Sequence, residues 1–350
     1  MKRILLGMSG GVDSAAAALL LRRSGCEVTG ATLLLRPGEG GLREARDAAR
    51  AAAVMGIPHL TLDFQQVFRR EVMEVFASEY LAGRTPNPCV YCNRAVKFGA
   101  MLRYALDNGF DGVATGHYAQ VREEGGRFLL YRSPTGKDQS YMLYSLTQEQ
   151  LGHTLFPLSR LDKPEVRALA REAGLPVAQK PDSQDICFVE DGDYAGFLER
   201  FTGGPFPPGE FTDGAGNVLG RHQGLPRYTV GQRKGLGISF GKPMYVTALD
   251  AARNRVVLGE EGSQYRGAFT ARGMNWIPFP QPEGPLRCQV KIRYRAPLAF
   301  CQVTPLPGGR ARVEFDEPQR SVTPGQAAVF YQEDLVLGGG IIEEEEEALE

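Results

Sequence analysis

At 350 residues, with 43% apolar and 23% charged residues, the chain is long enough for two or three folded domains. No apolar run approaches the length of a membrane span, and the N-terminus enters a strand pattern without a secretory signal, so we expect a cytoplasmic protein. Residues 219–342 carry 16 Lys and Arg against nine Asp and Glu, which favours a polyanionic partner, whereas residues 343–350 form an acidic tail.

The first predicted element is a strand, a tight turn and a helix around Ser9–Ser14, which reads Ser-Gly-Gly-Val-Asp-Ser. Two glycines let backbone N–H groups point into one concavity, and the helix N-terminus adds its positive dipole end. Ser9 and Ser14 can donate to phosphate oxygens, and Asp13 can bind Mg²⁺ or cap the helix. The turn lacks the Lys of a Walker A loop, and an ordinary Gly-rich turn is the alternative interpretation.

Strands and helices alternate through the first half of the chain, which predicts an α/β fold with a doubly wound parallel sheet. The predicted elements are a strand over Glu27–Leu34, a helix over Leu42–Met55, a strand over His59–Asp63, an amphipathic segment over Gln65–Leu81, a helix over Asn93–Asn108 and a strand over Gly112–Thr115. Ligands of such sheets bind outside the carboxyl ends of the strands. Four stretches are expected there: Ser9–Ser14, Leu33, Arg84–Cys92 and Thr115-Gly116-His117.

The second half has a different texture. Asp162, Lys163 and Pro164 predict a helix that ends near Gly174, and a Gly- and Pro-rich linker covers Gly203–Gly209. Short alternating runs then predict strands at Met244–Leu249, Arg255–Leu258, Leu286–Arg293, Arg312–Phe315 and Ala327–Tyr331. We therefore expect an α/β domain over residues 1–200 with a helical extension from about 146, a central small β domain over 205–262 and a C-terminal β-barrel over 263–342.

The six cysteines fall into two groups. Three sit in strand patterns and are expected in the core: Cys26, Cys288 and Cys301. Three lie in polar, turn-rich stretches: Cys89, Cys92 and Cys187. Cys92 precedes a helix predicted to begin near Asn93, with Arg94 and Lys97 close by. A helix N-terminus and positive charge both favour the thiolate, so Cys92 is predicted to be reactive.

The loop Ser9–Ser14 resembles the PP-loop of ATP pyrophosphatases, which transfer AMP to an oxygen atom. Two separated cysteines on the same chain then suggest sulfur insertion, because an adenylated oxygen can leave as AMP. One cysteine would carry a persulfide and the second would attack it, leaving a disulfide between the two. A zinc site of Cys89, Cys92, Cys187 and His117 is the structural alternative, although the sequence has no second Cys-x-x-Cys pair.

Further motifs make the resemblance specific. They are Gly-Arg-Thr-Pro-Asn-Pro at 83–88, Cys-Asn-Arg at 92–94, Ala-Thr-Gly-His-Tyr at 114–118, Lys-Asp-Gln-Ser-Tyr at 137–141, Ile-Cys-Phe at 186–188, Gly-Gln-Arg-Lys-Gly-Leu-Gly at 231–237, Arg-Tyr-Arg at 293–295 and Pro-Gly-Gln at 324–326. On these residues, from Gly7 to about Ile342, the chain is identified as a member of the tRNA-specific 2-thiouridylase family. The resemblance implies ATP-dependent 2-thiolation of the wobble uridine (position 34) of tRNA, through an adenylated intermediate and a cysteine persulfide.

The resemblance also implies ligands and partners. ATP and Mg²⁺ would be the cofactors, AMP and pyrophosphate would be released, and the anticodon loop of tRNA would be bound. The sulfur would come from a persulfide donor such as a cysteine desulfurase or a sulfur-relay protein. The N-terminal domain would be catalytic, and the C-terminal barrel would contact tRNA. The protein would be a monomer and would not associate with a membrane.

Individual roles carry over motif by motif. Cys92 matches the nucleophile and Cys187 the persulfide carrier. The residues that match the ATP site are Gly7, Met8, Ser9, Gly10, Gly11, Val12, Asp13, Ser14, Leu33 and Gly116. The residues that match contacts to the flipped-out base and the rest of the tRNA are Asn87, Pro88, Cys89, His117, Lys137, Asp138, Gln139, Arg293, Tyr294 and Gln326.

Two features depart from the family pattern. Many members have Asp where this chain has Cys89, which puts an acid–base role at that position in doubt, and the segment Arg36–Gly41 is short and lacks an acidic run. Two other classes of protein stay open at this point. One is another PP-loop enzyme, such as an amidating synthetase or a different tRNA thiolase, and the other is a non-catalytic zinc or tRNA-binding protein.

Overall fold

The computed structural model describes residues 1–175, 177, 186–189 and 191–343, and within them the chain divides into two compact units. The first unit comprises Met1–Met73, Cys89–Phe188 and Glu333–Leu337, and the second comprises Glu74–Pro88, Val189–Gln332 and Gly338–Glu350. Two predicted features lie outside the described residues: positions 344–350 of the acidic tail, and positions 181–185 before Cys187.

A five-stranded parallel sheet forms the centre of the first unit, in the order β3-β2-β1-β4-β7. Its strands are β1 (Arg3–Gly7), β2 (Glu27–Leu34), β3 (His59–Asp63), β4 (Gly112–Ala114) and β7 (Thr154–Leu155). Ile4, Leu5 and Leu6 are all buried because β1 is covered on both faces, which explains its uninterrupted apolar sequence. The chain order reverses at β1, which has β2 on one side and β4 on the other. Such a reversal opens a crevice at the carboxyl ends of the two strands.

Helices cover this sheet: α1 (Val12–Arg23), α2 (Glu39–Val54), α3 (Gln65–Phe68), α5 (Pro88–Tyr91), α6 (Met101–Asp107), α7 (Gln148–Gly152) and α8 (Lys163–Glu172), with a 3₁₀ turn at Ser140–Met142. The alanines at 15–18 of α1 are buried in one cluster with Ala48, Ala51 and Ala52 of α2. Small side chains here allow close packing beside the loop that opens α1. Helix α8 starts with the predicted Asp162 N-cap, which forms a capping box with Glu165.

Two segments contain π-helices that the sequence does not predict. The amphipathic segment Gln65–Leu81 is α-helical at its ends, and its middle, Arg69–Glu74, is a π-helix. The helix predicted to begin near Asn93 already begins at Pro88, and its stretch Cys92–Ala100 is also a π-helix. A hairpin not predicted from the sequence follows β4, made of β5 (Ala119–Glu124) and β6 (Arg127–Arg132), and Leu335 pairs with Tyr131 of β6.

In its described residues the second unit contains two α-helices, a four-stranded sheet and a barrel. The helices are α4 (Val75–Leu81) and α9 (Tyr194–Thr202), and a 3₁₀ turn covers Leu225–Arg227. The sheet has the order β10-β11-β8-β9, with β8 (Gly209–Thr212), β9 (Val218–His222), β10 (Tyr245–Asp250) and β11 (Arg255–Gly259). Gly203, at the start of the predicted linker, ends α9 in the left-handed conformation with φ of 91°.

The barrel has the strand order β12-β15-β14-β13-β16-β17 and is closed by pairing of β12 with β17. Its strands are β12 (Tyr265–Trp276), β13 (Leu286–Lys291), β14 (Ala299–Leu306), β15 (Arg310–Arg320), β16 (Ala327–Gln332) and β17 (Leu335–Ile342). Cys288 and Cys301 face each other across β13 and β14 and are buried, as expected, whereas Cys26 is only half-buried. The predicted α/β fold followed by β-rich parts is therefore confirmed.

Candidate active site

The loop between β1 and α1 ends at a helix N-terminus that is open to an anion. Gly10 has a φ of 67°, and a Cβ atom there would lie 2.8 Å from the carbonyl oxygen of Glu44, so only glycine fits. Gly11 is the N-cap of the 12-residue helix α1 and has no side chain to satisfy the N–H groups of the first turn. Those groups, together with the helix dipole, form an anion site.

Asp13, in the first turn of α1, is held by two partners from other elements. Its carboxylate accepts hydrogen bonds from Lys163 Nζ at 2.8 Å on both oxygens and from the Tyr118 hydroxyl at 2.7 Å. Lys163 lies in the first turn of α8, so this ion pair connects the two helix starts. The sequence motif marked Asp13 but not these two partners. The only signal for Lys163 was its place after an N-cap Asp, which indicated a helix start and no ligand.

The turn after β4 packs directly against the first turn of α1. A Cβ atom on Gly116 would lie 3.0 Å from the Asp13 carbonyl carbon and the Ser14 nitrogen, so a side chain here would push the two loops apart. His117 follows, with its Nδ1 atom 2.6 Å from Thr115 Oγ1. Burial, assisted by the charge of Lys97, lowers the pKa of His117 well below its usual value. His117 is therefore a neutral hydrogen-bonding group at pH 7.

These loops surround a cavity of about 250 Å³. Its lining includes Gly7, Met8, Ser9, Asp13, Ser14, Leu33, Gly116, His117 and Gln139 from the predicted site, and also Glu44 and Lys97. Leu33 is in β2, so three neighbouring strands contribute their carboxyl ends. The cavity lies where the sheet order reverses, which is where ligands bind in doubly wound folds.

The environment of Cys92 differs from the sequence prediction. Because the helix already begins at Pro88, Cys92 lies a full turn inside it and not at its N-terminus. Cys92 is also buried. Burial raises the pKa of Cys92 to about 12, and the opposing charge of Lys97 does not cancel this effect. The prediction that the site favours the Cys92 thiolate is therefore wrong for this structure.

A negative charge on Cys89 or Cys187 raises the Cys92 pKa further. The three thiols therefore interact electrostatically. Both residues are exposed, yet partial loss of hydration around each thiol raises its pKa. Phe188, next to Cys187, packs edge-on against Phe68 with ring centroids 5.7 Å apart. Three cysteines from two separate stretches of the first unit thus influence one another electrostatically. Within the described ranges no group of three or more His, Cys, Asp or Glu residues could hold a metal ion.

The remaining residues predicted to contact tRNA fall into two sets. In the first unit, Lys137 is exposed, whereas Asp138 accepts hydrogen bonds from the backbone N–H groups of Ser133 and Ser140. In the second unit, Tyr294 is half-buried, and the Gln326 side chain donates to the Thr85 carbonyl at 2.7 Å.

The Arg293 side chain also forms hydrogen bonds within the second unit. Its guanidinium donates to the carbonyls of Val230 at 2.9 Å and Ser321 at 3.0 Å and to the hydroxyl of Thr323. The strand predicted over Leu286–Arg293 ends at Lys291, so Arg293 and Arg295 lie in the turn after β13, where Arg293 is half-buried and Arg295 is exposed.

The stretch Thr85–Pro88 of the second unit, which contains the predicted tRNA contacts Asn87 and Pro88, is anchored at its start. Thr85 donates its N–H to the Pro324 carbonyl at 2.8 Å, and a Cβ atom on Gly325 would lie 2.8 Å from the Thr85 nitrogen. Gly325 has a φ of 89°, so both its conformation and its contact require glycine. Pro88 is buried and Asn87 is half-buried in this stretch. The Pro-Gly-Gln motif at 324–326 therefore fixes the backbone that leads to Asn87.

Three family models match in succession: "tRNA methyl transferase HUP domain" over residues 2–191, "tRNA methyl transferase PRC-barrel domain" over 195–260 and "Aminomethyltransferase beta-barrel domain" over 266–342. The tRNA-specific 2-thiouridylase MnmA of Acetivibrio thermocellus is 51% identical over 356 residues, which cover 98% of this chain and 99% of that protein. The chain belongs to the tRNA-specific 2-thiouridylase family.

Other members are similarly close. The 2-thiouridylase of Moorella thermoacetica is 51% identical, with 97% of this chain and 99% of that protein covered. The family assignment made from the motifs is thereby confirmed. Among solved structures, the U34-tRNA thiolase NcsA from Methanococcus maripaludis has a TM-score of 0.36 at 19% identity, covering 57% of this chain and 66% of that one. A 4-thiouridine synthetase–RNA complex with bound ATP also has a TM-score of 0.36, at 21% identity, covering 53% and 45%. Within the described ranges, no helix is long and apolar enough to cross a membrane.

Proposed function

We propose that this protein thiolates C2 of the wobble uridine, position 34, in tRNA in two stages, adenylation and sulfur transfer. The observation that carries the proposal is the cavity at the start of α1, whose lining extends from Ser9 to Lys97, five residues after Cys92. An anion site in a cavity lined by Lys97, whose charge acts on Cys92, fits a reaction in which a phosphate activates an oxygen and sulfur replaces it.

In the first stage the triphosphate of ATP binds at Gly10–Ser14, with the N–H groups of α1 facing its phosphates. The uridine O2 attacks the α-phosphorus, the bond to the β-phosphate breaks, and pyrophosphate leaves. Asp13 and Glu44 both line the cavity and carry the carboxylate oxygens that Mg²⁺ prefers, so they are the residues that would hold it, with Asp13 Oδ2 exchanging its contact with Lys163 for the metal. When bound, Mg²⁺ would supply charge neutralisation for the phosphates.

In the second stage Cys187 carries the sulfur. It receives a sulfane sulfur from an external persulfide donor, which leaves as a thiol. The Cys92 thiolate attacks Sγ of Cys187, the persulfide S–S bond breaks, and hydrosulfide leaves. Hydrosulfide attacks C2, the C2–O bond breaks, and AMP departs with loss of a proton. The transferred sulfur gains two electrons as the two thiols form a disulfide, which a dithiol reductant then reopens.

The neutral His117 and Gln139 line the same cavity and are suited to hydrogen bonds with the flipped-out nucleotide. Asn87, Pro88 and Cys89 are proposed to face the target base, and exposed basic residues of the second unit, such as Arg233, Lys234 and Arg295, to contact phosphates. Backbone contacts of this kind make tRNA affinity fall steeply with salt. Salt-insensitive binding would contradict a role of the second unit in phosphate recognition.

Mass spectrometry of tRNA after incubation with the protein, ATP, Mg²⁺ and a persulfide donor tests the proposal. We expect one oxygen-to-sulfur replacement in the wobble uridine with the wild-type protein and none with Cys187→Ser or Cys92→Ser. Cys26→Ser is the matched control, because Cys26 precedes β2 and is not among the residues that line the cavity. Undiminished thiolation by Cys187→Ser, or no thiolation by the wild type, would contradict the proposal.

A further inference from the structure

Lys97 is a positively charged residue that lines the cavity of the first unit. The charged residues that line the cavity, among those described, are Asp13, Glu44 and Lys97. Asp13 already accepts hydrogen bonds from Lys163, which is not among the lining residues. A bound triphosphate brings several negative charges into this cavity, and Lys97 is the lining cation that can meet them.

The π-helix brings Lys97 onto the same face as Cys92. In the segment Cys92–Ala100 the hydrogen bonds run from residue i+5 to residue i, as in the bond from the Met101 N–H to the Val96 carbonyl. Because each hydrogen-bonded turn holds one more residue than in an α-helix, residues four and five apart lie on one face, whereas in an α-helix residues three and four apart do so. Cys92 and Lys97 are five apart. Long π-helical segments are rare and are often found at functional sites.

The electrostatics agree with this geometry. Among charged groups, Lys97 has the largest effect on Cys92, and it acts to lower the thiol pKa against the dominant burial. It acts in the same direction on Cys89 and on Cys187, where Cys89, Arg36 and Glu44 also contribute. It lowers the pKa of His117 as well, in addition to burial. Lys97 is thus the charge shared by the three cysteines and the cavity.

We propose that Lys97 is a catalytic residue of both stages, whose ammonium holds phosphate oxygens of ATP during adenylation and the Cys92 thiolate during sulfur transfer. This inference rests on the proposed function. One cation can serve both stages because they occur in sequence: once the pyrophosphate has left, less negative charge remains on the nucleotide. The ammonium can then stabilise the sulfur anion, which burial otherwise disfavours.

The test compares Lys97→Gln with the wild type in two separate assays. The first measures tRNA-dependent pyrophosphate release without a sulfur donor, and we expect a loss of about 10²-fold, typical of removing one group that stabilises developing charge. The second measures the alkylation rate of Cys92 by iodoacetamide at pH 8, followed by peptide mass spectrometry. Here we expect about a tenfold loss, because without Lys97 a smaller fraction of Cys92 is thiolate.

Two variants make the result specific. Lys97→Arg keeps the charge and should restore both rates to within about tenfold of the wild type. Arg103→Gln is the matched control, because Arg103 is an exposed cation on α6, which continues the same helical run, and both rates should stay unchanged. If Lys97→Gln lowers the thermal unfolding midpoint strongly, the assays are repeated with Lys97→Met, which removes the charge and keeps an apolar stem of similar length.

The outcomes separate this inference from the proposed function. A wild-type protein that releases no pyrophosphate with tRNA would overturn the proposed function and this inference with it. A wild type that is active, with Lys97→Gln within about twofold in either assay, would overturn the shared role of Lys97 and leave the proposed function standing. Loss in both assays, with recovery by Lys97→Arg, supports the inference.

Discussion

Two residues of the first unit that the family motifs mark for tRNA differ in their surroundings from two of the second unit, although Asp138 of the first unit also bonds to backbone N–H groups. In the first unit His117 and Gln139 line the cavity at the sheet edge. In the second unit Arg293 and Gln326 donate to backbone carbonyls of their own unit, at Val230, Ser321 and Thr85. A polar residue in a functional motif can therefore line the substrate site, or it can hydrogen-bond to the backbone and fix the position of a neighbouring segment. Only the tertiary contacts distinguish the two cases, and each makes different predictions.

In the first unit, Gly116→Ala is expected to cause the largest loss of activity. The new Cβ atom would sit 3.0 Å from backbone atoms of Asp13 and Ser14, so the loop after β4 and the start of α1 must separate. We expect a loss of about 10²-fold in kcat/KM for thiolation, because small displacements of reacting groups are costly. Gly136→Ala is the matched control, since a Cβ atom there meets nothing within 4 Å and its backbone is unstrained. Equal activity of the two variants would contradict the tight packing of the two loops.

Arg293→Ala tests the second unit through stability. The substitution leaves the Val230 and Ser321 carbonyls without this donor, and we expect a loss of about 2 kcal/mol in the free energy of unfolding, measured by urea denaturation. Arg295→Ala, an exposed neighbour, should change it by less than about 0.5 kcal/mol.

The salt dependence of tRNA binding separates the two roles of Arg293. If Arg293 positions backbone, Arg293→Ala leaves the slope of log affinity against log salt unchanged. A direct phosphate contact would instead reduce the slope by about one. That reduction, without a loss of stability, would assign Arg293 to the substrate.

The pH dependence of Cys92 tests the buried site in the first unit. Because burial raises the Cys92 pKa to about 12, the neutral thiol dominates at pH 7. The thiolate fraction should then rise about tenfold for each pH unit between 7 and 10. The alkylation rate of Cys92, followed by peptide mass spectrometry, should rise in parallel. In urea-unfolded protein it should level off above the ordinary thiol pKa of about 8.5. A plateau near pH 9 in the folded protein would contradict the raised pKa.

Gln326→Ala is the mildest change. It removes the hydrogen bond to the Thr85 carbonyl, and we expect a loss of about 1 kcal/mol in the free energy of unfolding. Gln332→Ala, at an exposed position at the end of β16, is the control and should be nearly neutral. Unchanged stability of Gln326→Ala with weakened tRNA binding would mean that Gln326 contacts tRNA directly.

Sequence patterns predicted the sheet and the loops at its edge well. The strands over Glu27–Leu34 and His59–Asp63 have the predicted bounds, because apolar runs between turn signals leave little choice. Three of the four stretches expected at this edge line the cavity, through Ser9, Leu33 and Gly116, since the carboxyl ends of parallel strands share one edge. No residue of the fourth stretch, Arg84–Cys92, is among the described lining residues.

Other features depend on information that local patterns do not carry. A π-helix has no signal in a pattern read at the α-helical period, so the alignment of Cys92 with Lys97 was not predicted. The sequence predicts that this helix begins at Asn93, with Cys92 next to its N-terminus. In the structure the helix begins at Pro88, and Cys92 is buried within it. The partners of Arg293 lie up to 63 residues away in the chain. A strand pattern gives the face of a side chain but not what covers that face.

We propose that the loop at 9–14 activates the uridine oxygen before the cysteines supply sulfur. Pyrophosphate release by Cys187→Ser, with tRNA and ATP but no sulfur donor, tests this order of events. We expect release that requires tRNA, at a rate close to that of the wild type, although the variant forms no 2-thiouridine. Release that does not require tRNA, or release that is abolished in Cys187→Ser while the fold is intact, would rule out this order.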